Sequence, residues 1–161
     1  MPVSIRELGR PGDLGWVVMA NGEIYAREYD WDASYEQLVA GIVGDFARCR
    51  DPDREQAWIA ELDGERVGTV FCVADQDTRN ARLRILLVEP ETRGHGVGRA
   101  LVHTCVGFAR DAGYPGVVLW TNTVLTAARR IYESFGFNLV EEDSHHSFGH
   151  DLVGQTWRLR L

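Results

Sequence analysis

Arg93-Gly94-His95-Gly96-Val97-Gly98-Arg99 stands between two different periodicities. Before it runs an apolar segment, residues 82–88 (RLRILLV), closed by Glu89-Pro90. After it, Val97, Leu101, Cys105, Phe108 and Ala112 recur at helical spacing until Gly113. The reading is a buried strand, a glycine-rich turn and a long helix. Glycine admits left-handed backbone and lets a ligand approach without a Cβ in the way. The first amides of a helix lack internal partners and point outward at the positive end of its dipole. Arg93 and Arg99 add guanidinium groups that can fork onto phosphate oxygens. The segment therefore reads as a cradle for phosphate or pyrophosphate. The alternative is a turn whose glycines serve only to change direction.

Working outward, residues 117–120 form a continuous apolar strand, and Ala128, Ile131, Tyr132 and Phe135 give the next helix its apolar face, with Gly136 placed to end it. Residues 138–142 and 156–161 read as closing strands. Upstream, residues 57–62 and 66–74 form a hairpin through Asp63-Gly64. Residues 34–49 form a helix capped by Ser34, with Leu38, Ile42, Val43 and Phe46 as its apolar stripe. Residues 13–29 are mostly helical, interrupted at Asn21-Gly22, and residues 3–8 alternate as a first strand. With no repeat, linker or low-complexity tract, the expectation is one α+β domain over residues 1–161, with a helix crossover at its centre.

Composition narrows the ligand. Of 161 residues, 45% are hydrophobic and 25% charged, and 24 acids against 17 bases give a net charge of −7. That balance argues against direct nucleic-acid binding. All the basic residues are arginine, so a phosphate loop that needs lysine and any Schiff-base chemistry are excluded. A dinucleotide fingerprint needs a third glycine where Arg99 stands. No apolar run approaches the ~20 residues needed to cross a bilayer, and no basic-then-apolar leader opens the chain. A cytoplasmic location is expected. Cys49, Cys72 and Cys105, odd in number and set among apolar residues, read as buried reduced thiols.

Residues 93–98 resemble the Arg/Gln-x-x-Gly-x-Gly/Ala signature of the GNAT superfamily of acyl-CoA-dependent N-acetyltransferases. A second block agrees: Ala128-Arg129-Arg130-Ile131-Tyr132-Glu133-Ser134-Phe135-Gly136-Phe137 resembles the superfamily's Ala-x-x-hydrophobic-Tyr-x-x-x-Gly-Phe helix end. The resemblance implies a mixed, mostly antiparallel twisted sheet of six to seven strands flanked by about four helices. It implies acetyl-CoA as co-substrate, without a metal, gripped by Arg93, Gly94, His95, Gly96, Val97, Gly98 and Arg99. The backbone of Leu86, Leu87 and Val88 would pair with the pantetheine arm, and an amide near Val88 would hold the thioester oxygen. Many members carry asparagine where this chain has Leu125; Asn122, three residues earlier, is the candidate replacement. The flanks, with Trp16, Tyr25, Glu28, Tyr29, Trp31, His145, His146 and Trp157, resemble more narrowly the acetyltransferase half of bacterial proteins that fuse a MarR-type winged helix to a GNAT domain. Association with a winged-helix regulator and homodimerisation are partner readings that go with it.

Acyl transfer to an amine needs a proton for the departing thiolate and a base for the ammonium. Tyr132 is the candidate acid, since a phenol of pKa near 10 stays protonated at neutral pH; the competing reading is a core aromatic. Glu28, on a helical face with Tyr25 and Tyr29, is one candidate base, and His145 or His146 is another. A zinc site on His145, His146 and His150 lacks a fourth ligand at recognisable spacing. The expected activity is acetyl transfer to a primary amine of a small molecule or peptide. The alternative is a domain that senses acyl-CoA or a metabolite and acts with a transcriptional regulator, without turnover.

Overall fold

The structure, a computed structural model, describes residues 2–161. Seven strands form one sheet in the order β1-β2-β3-β4-β5-β7-β6: β1 (Ser4–Glu7), β2 (Gln56–Leu62), β3 (Glu65–Ala74), β4 (Ala81–Val88), β5 (Gly116–Asn122), β6 (Asn138–Ser147) and β7 (His150–Arg160). Every neighbouring pair is antiparallel except β4 and β5, which a helix crossover joins in parallel. The helices are α1 (Asp13–Tyr29), α2 (Ala33–Cys49), α3 (Val97–Asp111) and α4 (Thr126–Ser134). α1 and α2 cover one face of the sheet, where Val17, Val39, Val43 and Phe46 pack on Ala57, Ile59 and Phe71. α3 and α4 cover the other, where Leu101, Cys105 and Tyr132 join Val70, Cys72, Leu83 and Leu119. This is the mixed α+β architecture expected.

Local signals and tertiary contacts disagree at three places. Asn21-Gly22 does not interrupt α1. Asn21 is buried, its amide donates to the Val17 carbonyl (2.8 Å), and its Oδ1 accepts from the Tyr35 hydroxyl (3.2 Å). Gly22 lies against α2, where a Cβ would fall 2.2 Å from Glu36 Oε1. The pair thus seats one helix on another instead of making a turn. α2 is capped by Asp32, not Ser34: the Asp32 carboxylate accepts from the Ser34 amide (3.0 Å) and the Ser34 hydroxyl. Its buried stripe consequently runs through Val39, Val43 and Phe46, and Leu38 faces solvent. Cys72 and Cys105 are buried free thiols, whereas Cys49, at the end of α2, is exposed.

The entry to α1 is fixed by one carboxylate. Asp13, fully buried, accepts from the amides of Gly9 and Arg10 and from the guanidinium groups of Arg6 and Arg66, all at 2.8–2.9 Å. Arg6 foremost among these donors holds its pKa far below the usual carboxylate range.

Two features distinguish β4 from the other strands. Its register against β3 slips between Thr69↔Leu87 and Phe71↔Arg84, which leaves one extra residue on β4. Ile85 at this bulge has φ 58°, a strained value for a β-branched side chain. Beside it, β4 pairs with β5 only through Ala81↔Val117 and Arg82↔Val118. Beyond those two rungs the strands separate, and the second half of β4 is left with a free backbone edge.

Candidate active site

A cleft of about 510 Å³ opens where β4 and β5 part. Its floor is Leu86, Leu87 and Val88, the strand's last residues. Gly94, Gly96 and the first residues of α3 close one end. Ala128 and Ile131 of α4 form one wall, and Tyr25, Glu28 and Tyr29 of α1 form the other. The predicted common face of those three α1 residues is what the structure shows.

The glycine-rich end leaves backbone amides free at the start of α3. Gly94 and Gly96 have φ 92° and 76°, values open to glycine at little cost, and Gly96 is the N-cap of α3. The first bond within α3 runs from the Ala100 amide to the Gly96 carbonyl (3.0 Å), so the amides of Val97, Gly98 and Arg99 precede the helical ladder. Gly98 brings α3 against α4: a Cβ there would lie 2.6 Å from Ile131 Cδ1. Arg99 is steadied by the Ser134 hydroxyl (2.6 Å) and by the Phe135 ring beneath its guanidinium (5.3 Å). Arg93 donates both terminal nitrogens to Glu28, at 2.7 and 2.6 Å, across 65 residues of sequence. His95 is exposed and its side chain does not line the cleft; its amide donates to the Thr92 carbonyl (3.3 Å).

Tyr132 lies one residue beyond Ile131, buried, with its ring 5.7 Å from that of Phe137. Burial, then the neighbouring Tyr25, pushes its phenol well above the ordinary tyrosine value. Tyr25 is likewise raised by burial; its hydroxyl donates to the Leu86 carbonyl (3.5 Å), and its ring stacks on Trp31 (5.2 Å). Tyr35 and Phe148 stand edge-on at 5.0 Å and bind the α1–α2 junction to the β6–β7 turn. This aromatic cluster behind the α1 wall is visible in the sequence only as scattered rings. Its assembly depends on the left-handed Phe148 (φ 57°) and on the Asp32 amide donating to the Phe148 carbonyl (3.1 Å).

Tyr132 lies behind the cleft wall and does not itself line it, and the remaining candidates fall outside the cleft as well. Asn122 is buried at the end of β5, with Oδ1 2.8 Å from Nε2 of His145, whose Nδ1 lies 2.8 Å from the Ser147 hydroxyl. His146 is exposed beside Asp151 (2.8 Å) and is not among the groups that line the cleft. All three histidines lie on strands, and neighbours on β6 point to opposite faces, so His145 and His146 cannot converge on one ion. His150 is engaged by the Asp30 carbonyl (2.9 Å). Among the described residues no group of three metal-ligating side chains comes together, and no helix is long and apolar enough to cross a membrane.

The comparisons agree with this geometry. Residues 15–137 match the model of the acetyltransferase (GNAT) family. The chain is 41% identical over 93 residues to N-acetyltransferase 8B of Homo sapiens, covering 55% of this chain and 41% of that protein. It is 37% identical over 90 residues to the N-acetylaspartate synthetase of Danio rerio, covering 56% and 32%. The chain thus spans under half the length of these relatives. Among solved structures, the ribosomal-protein-alanine N-acetyltransferase of Brucella melitensis superposes with TM-score 0.79 at 18% identity, over 98% of this chain and 99% of that one. The Salmonella typhimurium protein yncA, solved with acetyl-CoA, gives 0.79 at 16% identity over 100% and 95%. With the family match spanning both glycine turn and tyrosine helix, the chain belongs to the GNAT acetyltransferase family.

Proposed function

We propose that the protein transfers an acetyl group from acetyl-CoA to a primary amine, with residues 1–161 acting as one catalytic unit in the cytoplasm. The observation that carries this reading is the parting of β4 from β5 directly beside the uncapped amides of α3. A pyrophosphate fits the amides and glycines of residues 94–99, and an extended pantetheine arm fits the free edge of Leu86, Leu87 and Val88. When bound, acetyl-CoA supplies the activated acyl carbon. The chain's own residues do the rest. An amide near Val88 stabilises negative charge on the thioester oxygen. Tyr132, kept protonated by burial, donates a proton to the departing sulfur. The acceptor amine enters along the wall of Tyr25, Glu28 and Tyr29, where a carboxylate among aromatic rings favours a cationic, partly apolar amine. Glu28 takes one proton from the ammonium, the neutral amine attacks the acyl carbon as the C–S bond breaks, and the second proton shed by nitrogen restores the Tyr132 phenol. The neighbours solved with acetyl-CoA support the donor assignment. Asn122 acts indirectly, by fixing His145. His146, exposed beside Asp151, stands apart from the residues that line the cleft, which leaves Glu28 as the favoured base. The sequence likeness of the flanks to the acetyltransferase half of winged-helix fusion proteins extends this reading to a regulator as partner.

The test is thiol release from acetyl-CoA against polyamines, amino acids, aminoglycosides and peptide amines. Thiol release that depends on an amine, with N-acetylated product by mass, is the expected result. Tight acetyl-CoA binding with no release against any amine would replace the enzyme with a sensor.

A further inference from the structure

We propose that Glu28 is a latch on Arg93 which the donor's own phosphates release, so that filling the donor site frees a carboxylate on the acceptor wall. This rests on the acyl-CoA reading above and adds to it a coupling between the two halves of the cleft. The Arg93 guanidinium gives both terminal nitrogens to the two oxygens of one carboxylate, at 2.7 and 2.6 Å. Its three other N–H donors, one on each terminal nitrogen and one on Nε, point away from that carboxylate, so a phosphate can use the guanidinium's paired face only by displacing Glu28. The same pair ties the last turn of α1, which carries the acceptor wall, to the turn that opens the donor cradle. Glu28 held in this way has its best proton-accepting directions occupied.

The competition is uneven. The Arg93 and Glu28 side chains are 45% and 25% exposed, so water and salt screen their attraction. A pyrophosphate brings two negative charges, and the unpartnered amides at the start of α3 already favour an anion. Phosphate oxygens beside the turn therefore draw Arg93 away from Glu28. The released carboxylate then stands next to Tyr29 and Tyr25 with no cation of the chain on it, ready to receive an ammonium group. Glu28 thereby acts first as a positioning residue for Arg93 and only afterwards as a charge facing the acceptor.

The exchange predicts a sign that a permanent ion pair does not. If Glu28 competes with the donor, Glu28→Gln removes the competitor and acetyl-CoA binds about two- to fivefold tighter. If the pair is instead a lasting scaffold that aims Arg93, the same variant binds more weakly. Titration calorimetry on the whole chain reads this with two probes. Acetyl-CoA carries the pyrophosphate; S-acetyl-pantetheine is the same thioester arm without it, and its affinity should not change in Glu28→Gln. Arg93→Gln should lose acetyl-CoA affinity by about tenfold, the scale of a lost hydrogen bond to a charged group. Adding Glu28→Gln to Arg93→Gln should restore nothing, because no guanidinium is left to free. Glu28→Ala, with its melting temperature checked, should repeat the sign of Glu28→Gln. Equal or weaker acetyl-CoA binding in both Glu28 variants overturns the latch. A wild-type chain that binds no acetyl-CoA overturns the donor reading itself, a distinguishable result.

Discussion

A single substitution separates the packing of Tyr132 from the catalytic role proposed for it. Its ring is packed beside Phe137, while its hydroxyl is the proposed source of the proton that a thiolate leaving group needs. Tyr132→Phe keeps the packing, so melting temperature and acetyl-CoA affinity should change little, and kcat should fall by about 10²–10⁴. The loss should shrink with thioesters whose leaving thiol is more acidic, since such a thiolate needs less help. Burial moves the phenol above its ordinary value of about 10. A raised pKa keeps the acid protonated as pH rises, so Tyr132 should impose no fall in kcat between pH 7 and 10. A pH profile of kcat checks this, and a Tyr132→Phe enzyme with full kcat would return the residue to the core. The candidate acid stands out in the sequence because the helix around it carries its own pattern, Ala128 through Phe137. The partner of Glu28 is not. Helical spacing puts Glu28 beside Tyr25 and Tyr29, but nothing local reveals a guanidinium 65 residues away.

Among the elements, α3 is placed by close approach. Gly68 of β3 lies under the helix, and a Cβ there would fall 2.9 Å from the Leu87 carbonyl and 3.0 Å from side-chain carbons of both Val97 and Leu101. A backbone carbonyl cannot yield as a flexible side chain can. Gly68→Ala should therefore cost about 1–3 kcal/mol by overpacking and should also weaken acetyl-CoA binding, because the start of α3 moves off the end of β4. Denaturant unfolding with a parallel ligand titration measures both; an unchanged pair of values would show that α3 has slack. The same elements show where pattern reading ends. The strand–turn–helix at residues 82–111 is encoded locally by apolar runs and glycines, and the structure follows it. β6 is an edge strand whose residues 141–146 are all polar, so no alternation marks its length. It is held by backbone pairing to β7 out to Ser147↔His150. The bulge at Ile85 has no sequence signal either: a β-branched residue in a left-handed conformation is a product of the surrounding sheet.

At the scale of the molecule, a seven-stranded sheet comes apart between β4 and β5, and the helices of both faces supply walls to the opening. α3 gives it a positive end and α1 an aromatic and acidic side, in a chain whose net charge of −7 would otherwise repel an anionic donor. In the proposed function, attraction of the donor's phosphates rests on that one turn, and the rest of the cleft works only once the turn is filled. Titration calorimetry with acetyl-CoA, on the wild-type chain and on the double variant Arg93→Glu with Gly96→Val, tests that claim most directly. Saturable one-to-one binding to the wild type and none to the variant is expected, with both chains folded by circular dichroism. Binding of equal strength to the variant, or no binding to the wild type, would contradict it.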